Sequence, residues 1–344
     1  MFHNQPVKYE AHQVWFPLSE DILGWDDDFH SLMLNDVLRM EAYEAAIKEA
    51  VRPGMVAVDV GTGTGILALW ALKAGAKLVY GIEVNQRRIE QALQRIGNAG
   101  FGKQFRIMNA VSYAAVLPEK ADIIISEILG NLGDNEDMVR ILNDARGRFL
   151  KVGGVMLPES AQTFLVPVST PAMHEQVREK KVKGINAGYD LESLMERLRV
   201  CNQFNLYYDG VIPCSAYLAR PLSVREFTFT GSDDPEYEVG RRFLITRSGM
   251  LTGFKGYFIA QLSQSVCLDI SGDDIRGKRT SDCWKHSYLP IFEPFQVQVG
   301  DVVTLRYARH YPVEQTSIFR QCYQWRGAVW RHTKQVYAFR QKMC

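Results

Sequence analysis

Residues 55–76 read "MVAVDVGTGTGILALWALKAGA" and combine an apolar strand, a glycine turn and an apolar helix. Residues 77–85, "KLVYGIEVN", predict a second strand that ends in an acid, and residues 87–100, "RRIEQALQRIGNAG", predict an amphipathic helix with a glycine stop. Further strands are predicted over 105–111 and 121–127. Strands that alternate with helices in this way are typical of a doubly wound parallel sheet. The first half of the chain is therefore predicted to be α/β, with a Rossmann-like sheet.

The pattern changes after about residue 153, where short alternating strands are broken by Gly, Asp and Pro. Such strands predict a β-rich domain, which we expect to form a barrel or a sandwich. A charged helical segment at about 172–200 interrupts this domain and is expected to form an arm. Before the first strand, residues 36–51 carry apolar positions at helical spacing. The predicted domains are an N-terminal helical segment (1–50), a Rossmann-like domain (51–157) and a β-barrel domain with the helical arm (158–344).

The composition is that of an ordinary globular protein, since 47% of the 344 residues are hydrophobic and 23% are charged. Lys and Arg total 40 against 39 acidic residues, and this balance argues against a nucleic-acid-binding protein. Neither a long apolar run nor a signal-peptide pattern occurs, so we expect a cytoplasmic protein that does not associate with membranes. The six cysteines contain no CxxC pair, which predicts neither a metal site nor a disulfide framework and favours a reducing compartment.

Three glycines, Gly61, Gly63 and Gly65, occupy the turn between the first strand and its helix. Glycine there lets the backbone pass close to a ligand, because no Cβ intervenes. The third glycine comes one residue earlier than in the dinucleotide fingerprint GxGxxG, and GxGxG is the pattern of class I S-adenosylmethionine methyltransferases. Asp59 lies at the end of the strand, and Glu83 ends the next one, where a carboxylate can accept both ribose hydroxyls. A tight structural turn explains the glycines alone, but glycines and acids together predict a site for S-adenosyl-L-methionine.

Two glutamates, Glu127 and Glu136, lie nine positions apart within "SEILGNLGDNE" at the end of a predicted strand. Ligands of an open α/β sheet collect at the carboxyl ends of the strands, so Glu127 is expected to face the cofactor crevice. The glycine-rich segment between the two can fold back and bring Glu136 toward Glu127. Two carboxylates can hold the five-donor fork of a guanidinium, localise its charge and accept a proton. The alternative interpretation is a solvated turn followed by an acid at a helix N-terminus.

These motifs together resemble the protein arginine methyltransferases. Residues 56–76 are similar to the family's motif I, "GIEVN" to its ribose-binding segment and "SEILGNLGDNE" to its double-glutamate loop. The "DNE" ending is closest to the branch that contains the symmetric, type II enzyme. The resemblance covers about residues 29–310 and is strongest in the first domain. It implies that Glu127 and Glu136 are the catalytic pair.

The resemblance also implies roles for four residues outside these motifs. By it, His30 lies over the cofactor, Met33 lines the arginine channel and Arg39 pairs with the methionine carboxylate of the cofactor. Trp284, within "DCWKHSYLP", is implied to present an aromatic face to the guanidinium. Read alone, these four would be ordinary helix, surface and core residues.

The segment before the first helix departs from the family pattern. "LGWDDDF", residues 23–29, stands where the family commonly has tyrosines, so Trp25 or Phe29 is expected to cover the substrate pocket. No acid occurs where the family usually contacts the adenine amino group. Ser112 and its backbone, with Asn109, are expected to serve there.

Two more departures concern the closing loop and the product. Cys283 replaces the histidine that the family usually carries, which removes a hydrogen-bond partner for the glutamate loop. Met33 is the residue type of the asymmetric enzymes, although the glutamate loop resembles the symmetric branch. The methylation state of the product therefore stays open.

The first functional hypothesis is an S-adenosylmethionine-dependent N-methyltransferase that acts on the guanidinium of arginine in a protein or peptide. Free L-arginine is an alternative substrate within the same chemistry, and the acidic run 26–28 suits either a basic peptide or an α-amino group. A methyltransferase of another small-molecule amine would not need both glutamates. A catalytically dead scaffold would need neither the glycine loop nor the glutamates. The family resemblance implies a homodimer formed through the arm at about 172–200.

Overall fold

The computed structural model describes residues 13–15, 33–182, 190–272, 281, 283–313 and 321–344. A two-residue strand, β1 (Val14–Trp15), precedes the first sheet. That sheet contains β2 (Val56–Val60), β3 (Leu78–Glu83), β4 (Phe105–Asn109), β5 (Ala121–Ser126) and β6 (Leu150–Leu157). Its strands are all parallel and lie in the order β4-β3-β2-β5-β6. The predicted doubly wound parallel sheet is confirmed.

Helices flank this sheet and are held at defined positions by their caps. They are α1 (Val37–Ala50), α2 (Ile66–Lys73), α3 (Gln86–Asn98) and α4 (Met138–Phe149). Asp36 caps α1 by accepting a hydrogen bond from the backbone N–H of Arg39, and Asn85 caps α3 in the same way. Strand β2 is buried along its whole length, as expected for the centre of a parallel sheet. Both caps lie near the carboxyl edge of the sheet, where ligands bind.

The second unit is an antiparallel β domain, as predicted, and it consists of two sheets. The larger contains β1, β7 (Ser160–Val168), β8 (Tyr208–Gly210), β9 (Leu222–Phe227), β11 (Gly249–Gln261), β12 (Cys267–Asp269) and β13 (His286–Val297). The smaller contains β10 (Tyr237–Leu244), β14 (Val302–His310), β15 (Cys322–Arg331) and β16 (Lys334–Met343). Their orders are β1-β8-β13-β11-β7-β9, with β12 on β11, and β10-β14-β15-β16.

Two helices, α5 (Pro171–Arg178) and α6 (Leu191–Leu198), lie in the segment predicted to form the arm. Residues 183–189 of that segment are outside the described part of the chain. The apolar side chains of α6 are buried in the hydrophobic cluster of the β domain: Leu191, Leu194, Met195 and Leu198. These helices therefore pack on their own chain through one apolar face.

The hydrophobic core of the parallel sheet continues into the β domain. Phe258 of β11 and Trp284, just before β13, belong to the same buried cluster as the isoleucines of β5. The rings of Phe258 and Trp284 meet edge to face, with centroids 5.1 Å apart. This shared core holds the carboxyl edge of the parallel sheet against the β domain, and the candidate site lies at that junction.

A disulfide joins Cys322 to Cys344, although the cysteine spacings predict no disulfide framework. The two residues are far apart in sequence and no spacing motif marks them. They become neighbours because β15 pairs with β16 in a register that sets Tyr323 opposite Met343. Within the described ranges, no helix has the length and apolarity needed to cross a membrane.

Candidate functional site

A cavity of about 380 Å³ opens where β2, β3 and β5 end. Eight of the residues predicted from the sequence line it: Met33, Arg39, Gly61, Gly63, Glu83, Glu127, Glu136 and Trp284. Three other predicted residues, Asp59, Gly65 and Ser112, are described by the structure but are not among its lining residues. Phe29 and His30, like Trp25, lie outside the described residues. The chain thus brings the two glutamates and the glycine turn to one cavity.

The glycine turn adopts a backbone that other residues rarely take. Gly61, Gly63 and Gly65 have φ of 74°, 53° and 78°, all in the left-handed region that favours glycine. A Cβ at Gly65 would lie 2.9 Å from the Cβ of Ala92 on α3, which is closer than side chains tolerate. Gly65 therefore serves helix packing beneath the cavity, whereas Gly61 and Gly63 line it. The predicted contact of Gly65 with the cofactor stays a prediction.

The carboxylate of Glu83 is held by backbone groups at the rim of the cavity. One oxygen accepts from the N–H of Gly63 at 2.9 Å, and the other accepts from the N–H groups of Val84 and Asn85, each at 2.9 Å. A carboxylate has about four acceptor sites, so these bonds leave one for a ligand hydroxyl. Glu83 therefore orders the glycine turn and also offers an acceptor to the cavity.

Asp59, predicted to bind the cofactor, lies beneath the turn and is fully buried. One carboxyl oxygen accepts from the backbone N–H of Ala68 at 3.2 Å, while the other has no hydrogen-bond partner. Burial raises the pKa of Asp59 to about 7, and the bond from Ala68 only partly offsets this effect. Asp59 therefore supports the turn and the start of α2 from below, because side-chain burial removes it from the cavity wall.

This raised pKa predicts a pH-dependent contribution to stability. An unfolded Asp ionises near pH 4, whereas folded Asp59 stays protonated up to about pH 7. The contribution is therefore fully present below about pH 4 and is lost as the pH rises through about 7. Urea unfolding at pH 5 to 8 should show that Asp59→Asn gains stability relative to wild type as the pH increases, by up to about 1.4 kcal/mol per pH unit. A constant difference across this range would contradict the assignment.

Glu127 and Arg39 form a buried ion pair in the wall of the cavity. The Arg39 guanidinium donates to Glu127 and, at 2.9 Å, to the backbone carbonyl of Met33. Its Nε is buried without a hydrogen-bond partner. The other oxygen of Glu127 accepts from the N–H of Leu129 at 3.3 Å. Burial alone would lower the pKa of Arg39, but the adjacent Glu127 carboxylate raises it, so the guanidinium stays charged.

The segment between the glutamates folds back on itself, as the sequence predicts. Gly130 and Gly133 form an isolated antiparallel bridge. The side chain of Asn135 closes the turn by accepting from the N–H of Leu132 at 2.8 Å. A Cβ at Gly130 would lie 2.2 Å from the Asn135 amide oxygen, so glycine is required there. This fold delivers Glu136 to the cavity that Glu127 also lines.

Trp284 also lines the cavity and is held by one short hydrogen bond. Its indole N–H donates to the carbonyl of Leu129 at 2.6 Å, which ties it to the segment after Glu127. The Arg39 guanidinium carbon lies 5.7 Å from the ring centroid, within the range of a cation–π contact. Trp284 is thus both a core residue of the junction and part of the cavity wall.

Asp36 begins the segment 36–51 that the sequence predicts to be helical, and it also holds the closing loop. Besides capping α1, its carboxylate accepts from the hydroxyl of Ser281 and from both the N–H and the thiol of Cys283, the latter two at 3.0 Å. Cys283 therefore does have a hydrogen-bond partner, although it occupies the position where a histidine was expected. A sequence pattern for a helix cap does not reveal that the same Asp carboxylate also binds a second segment.

The Cys283 thiol is expected to react slowly. Burial of the thiol and the neighbouring Asp36 carboxylate raise its pKa well above the ordinary value, which keeps it protonated. In a timed iodoacetamide reaction followed by peptide mass analysis, Cys283 should be modified much more slowly than the exposed Cys201 and Cys214. Denaturant should remove this difference, and equal rates in the native protein would contradict the prediction.

Ser112, predicted to contact the adenine, is not among the residues that line the cavity. It begins a short 3-10 turn, and its carbonyl oxygen accepts from the guanidinium of Arg148 on α4. Asn109 donates its side-chain amide to Gln86 at 3.2 Å. Asn85 and Arg88, which the sequence analysis did not single out, line the cavity instead. Their position in the sequence, in the turn directly after Glu83 and in the first turn of α3, is the signal that could have identified them.

Two family models match the chain. The model described as "PRMT5 oligomerisation domain" matches residues 160–334, which is more than half of the chain. The model described as "Ribosomal protein L11 methyltransferase (PrmA)" matches residues 38–157. The two matches meet between β6 and β7, where the sequence analysis places its domain boundary.

Relatives and solved structures extend this similarity. Over 152 residues the chain is 38% identical to the "Probable histone-arginine methyltransferase CARM1" of Oryza sativa subsp. indica, covering 43% of this chain but spanning only 28% of that protein. Over 283 residues it is 27% identical to "Protein arginine N-methyltransferase 1" of Dictyostelium discoideum, covering 80% of this chain and 79% of that protein. A solved Trypanosoma brucei PRMT1 enzyme-prozyme heterotetrameric complex with AdoHcy matches with a TM-score of 0.75 at 21% identity, over 92% of this chain and 98% of that chain. At that identity the structural match establishes the common fold.

Proposed function

We propose a function from the premise that this chain belongs to the protein arginine methyltransferase family: it transfers a methyl group from S-adenosyl-L-methionine to a guanidinium nitrogen of arginine. One observation carries this proposal, namely a single cavity lined by two sets of residues with different chemistry. The glycine turn and Glu83 form the first set. Glu127, Glu136 and Trp284 form the second. The first set suits a nucleoside and the second suits a planar cation.

Two features of the cavity fit S-adenosyl-L-methionine. A Cβ at Gly63 would have only the carbonyl oxygen of Gly61 near it, at 3.9 Å, so the backbone there is open to a ligand. The buried Nε of Arg39 is a donor that still lacks an acceptor, and the methionine carboxylate is a suitable one. Glu83 retains an acceptor site for a ribose hydroxyl. The chemistry supplied by the bound cofactor is an electrophilic methyl group on sulfur.

The two glutamates are proposed to bind and orient the substrate guanidinium. Glu127 is oriented before substrate arrives, because Arg39 and the N–H of Leu129 hold its two oxygens. Glu136 adds a second carboxylate from the far end of the loop. Together they accept from the guanidinium fork and draw its charge away from one nitrogen, whose lone pair is then available for methyl transfer. One carboxylate takes the proton released as the product forms.

The substrate is proposed to be arginine within a protein or peptide, following the names of the relatives. The test is incubation with methyl-labelled S-adenosylmethionine and, in parallel, arginine peptides, free L-arginine and a protein lysate, followed by mass analysis. Label in arginine residues of polypeptides is the expected result. Label only in free arginine would replace the polypeptide by the small molecule. Label only in another amine, or no transfer despite cofactor binding, would overturn the proposal.

The methylation state is a separate proposal. The double-glutamate loop resembles the symmetric branch, but the relatives give that branch no support, since they carry the names of protein arginine N-methyltransferases 1 and 6. Met33, the residue type of the asymmetric enzymes, lines the cavity. We therefore favour the asymmetric product over the symmetric one. Chromatography of acid hydrolysates against symmetric and asymmetric dimethylarginine distinguishes the two.

Assembly and location are also proposals. A homodimer is supported by the match of residues 160–334 to an oligomerisation domain, and the segment at about 172–200 is the proposed contact. Light scattering coupled to size-exclusion chromatography should give about twice the 39.1 kDa mass of the chain. A cytoplasmic location stays a prediction from the sequence, to be checked by fractionation.

A further inference from the structure

The residues on both sides of Glu136 are held by the β domain as well as by their own loop and helix. Asn135 accepts a hydrogen bond at its carbonyl from the side chain of Gln321, which lies just before β15. Asp137 has a φ of 59°, a left-handed backbone that is uncommon for residues other than glycine. Such a conformation persists where the surroundings over-determine it. The backbone direction at Glu136 is therefore imposed in part from outside the loop.

Arg309 of β14 makes most of the contacts between the β domain and the residues that flank Glu136. Its guanidinium donates to the carboxylate of Asp137 at 3.2 Å and to the backbone carbonyl of Asp134 at 3.3 Å. Its Nε lies 3.5 Å from the carboxylate of Asp134, and Nη1 donates to the carbonyl of Pro235. The Arg309 side chain is completely buried. The guanidinium of Arg309 thus contacts Asp134 and Asp137, which lie two residues before and one residue after Glu136.

Neighbouring tyrosines also donate hydrogen bonds to the carboxylates of Asp134 and Asp137. Asp134 is completely buried and accepts from the hydroxyls of Tyr237 on β10 and Tyr323 on β15, at 2.8 and 3.0 Å. The hydroxyl of Tyr311, which follows β14, donates to Asp137. Tyr323 is the cross-strand partner of Arg309, so both side chains project from the same face of the smaller sheet. That face is the support on which the end of the glutamate loop rests.

We propose that Arg309 is a positioning residue for Glu136, and that through it the smaller sheet of the β domain sets the geometry of the acidic pair. The inference rests on the proposed function, since it assigns Glu136 to the substrate guanidinium. Glu127 is oriented by Arg39 within the first unit, whereas Glu136 is oriented by the second. The two halves of the guanidinium clamp therefore depend on how the two units are packed together.

The glycine turn and Glu83 lie on different elements from this network. Loss of Arg309 is thus expected to change the reaction at the guanidinium while cofactor binding continues. A purely structural buried ion pair would instead change stability and leave the kinetics of the folded protein as they were. This difference separates a positioning role from a structural one.

The test compares Arg309→Lys with wild type and with the control Arg306→Met, which removes an exposed arginine from the same strand. Lysine keeps the charge beside Asp134 but lacks the fork that also reaches Asp137. We expect kcat for an arginine peptide to fall by about 10-fold to 100-fold in Arg309→Lys. The Kd for S-adenosylhomocysteine, measured by calorimetry, should stay close to that of wild type, whereas the melting temperature should fall because lysine leaves hydrogen bonds of Arg309 unmade. Arg306→Met should match wild type in all three measurements.

A double variant guards against simple loss of folding. Asp134→Asn with Arg309→Met removes both buried charges together, which avoids an uncompensated one. It is expected to fold, to bind S-adenosylhomocysteine and to show the same loss of kcat. Amide hydrogen exchange over residues 133–138 should be faster than in wild type in both Arg309 variants. Parental kcat and parental exchange in the folded variants would overturn the proposal.

Failure of the proposed function is distinguished by the wild-type protein. If wild type methylates neither arginine peptides nor free arginine, the proposed function is wrong, and the assignment of Glu136 to a guanidinium goes with it. Exchange over residues 133–138 then decides whether Arg309 holds the loop at all. If wild type is active and the folded Arg309 variants keep its full kcat, the proposed function stands and the positioning role is wrong.

Discussion

Glu136→Gln is expected to lower kcat for arginine methylation by about 100-fold to 10,000-fold while the Kd for S-adenosylmethionine stays near the wild-type value. Glutamine keeps the size of the side chain but carries no negative charge, so it neither draws charge from the guanidinium nor accepts a proton. Glu136 comes from the loop after β5, whereas the glycine turn follows β2, which is why cofactor affinity should be retained. Single-turnover assays with a labelled peptide, together with calorimetry, give both quantities.

The choice of variants for this experiment depends on the buried ion pair between Glu127 and Arg39. Glu127→Gln is a less clean variant, because it leaves the buried guanidinium of Arg39 without its carboxylate, at a cost of about 3–5 kcal/mol. Glu41→Gln, at an exposed position of α1, is the matched neutral control. If the double variant of Glu127 and Glu136 binds cofactor normally and methylates at the parental rate, the arginine mechanism is wrong.

Glu83→Ala should weaken S-adenosylmethionine binding by about 100-fold or more, since each hydrogen bond to a charged group contributes about 1.5–3 kcal/mol. The substitution removes the acceptor proposed for the ribose and also releases the N–H groups of Gly63, Val84 and Asn85. The glycine turn then loses the contact that orders it, so preorganisation is lost together with the direct bond. Isothermal titration with S-adenosylmethionine measures the effect.

Glu90→Ala is the appropriate control for Glu83→Ala. Glu90 is an exposed residue of α3, and its carboxylate accepts from the side chain of Gln86 at 3.1 Å. Its loss should leave the Kd unchanged. If the Glu83 and Glu90 variants bind S-adenosylmethionine with equal affinity, the nucleoside has been assigned to the wrong residues of the cavity.

Much of the fold could be read from local patterns. The run 55–76 specifies a strand, a left-handed turn and a helix within one short segment, because glycine alone accepts those φ values without strain. Glu83 and Glu127 come directly after buried strands, and parallel strands end at one edge of the sheet. Their convergence on one cavity therefore follows from chain order and sheet direction.

Other assignments depended on partners that are distant in sequence. Asp59 has the same local signal as Glu83, but packing of α2 over the turn buries it completely. Arg39 bonds to Glu127, 88 residues away, and Asp36 bonds to Cys283, 247 residues away. Ser112 is bound by Arg148 of α4 and does not line the cavity. None of these contacts has a spacing that a sequence pattern could reveal.

By itself, the sequence determined the parallel sheet, the glycine turn and the delivery of Glu83 and Glu127 to its edge, because each depends on residues close together in the chain. Only the tertiary structure decided the direction of Glu136. That residue follows a loop whose end bonds to Arg309, more than 170 residues later. Two separately folded sheets must pack together before this contact exists, and no local preference encodes it.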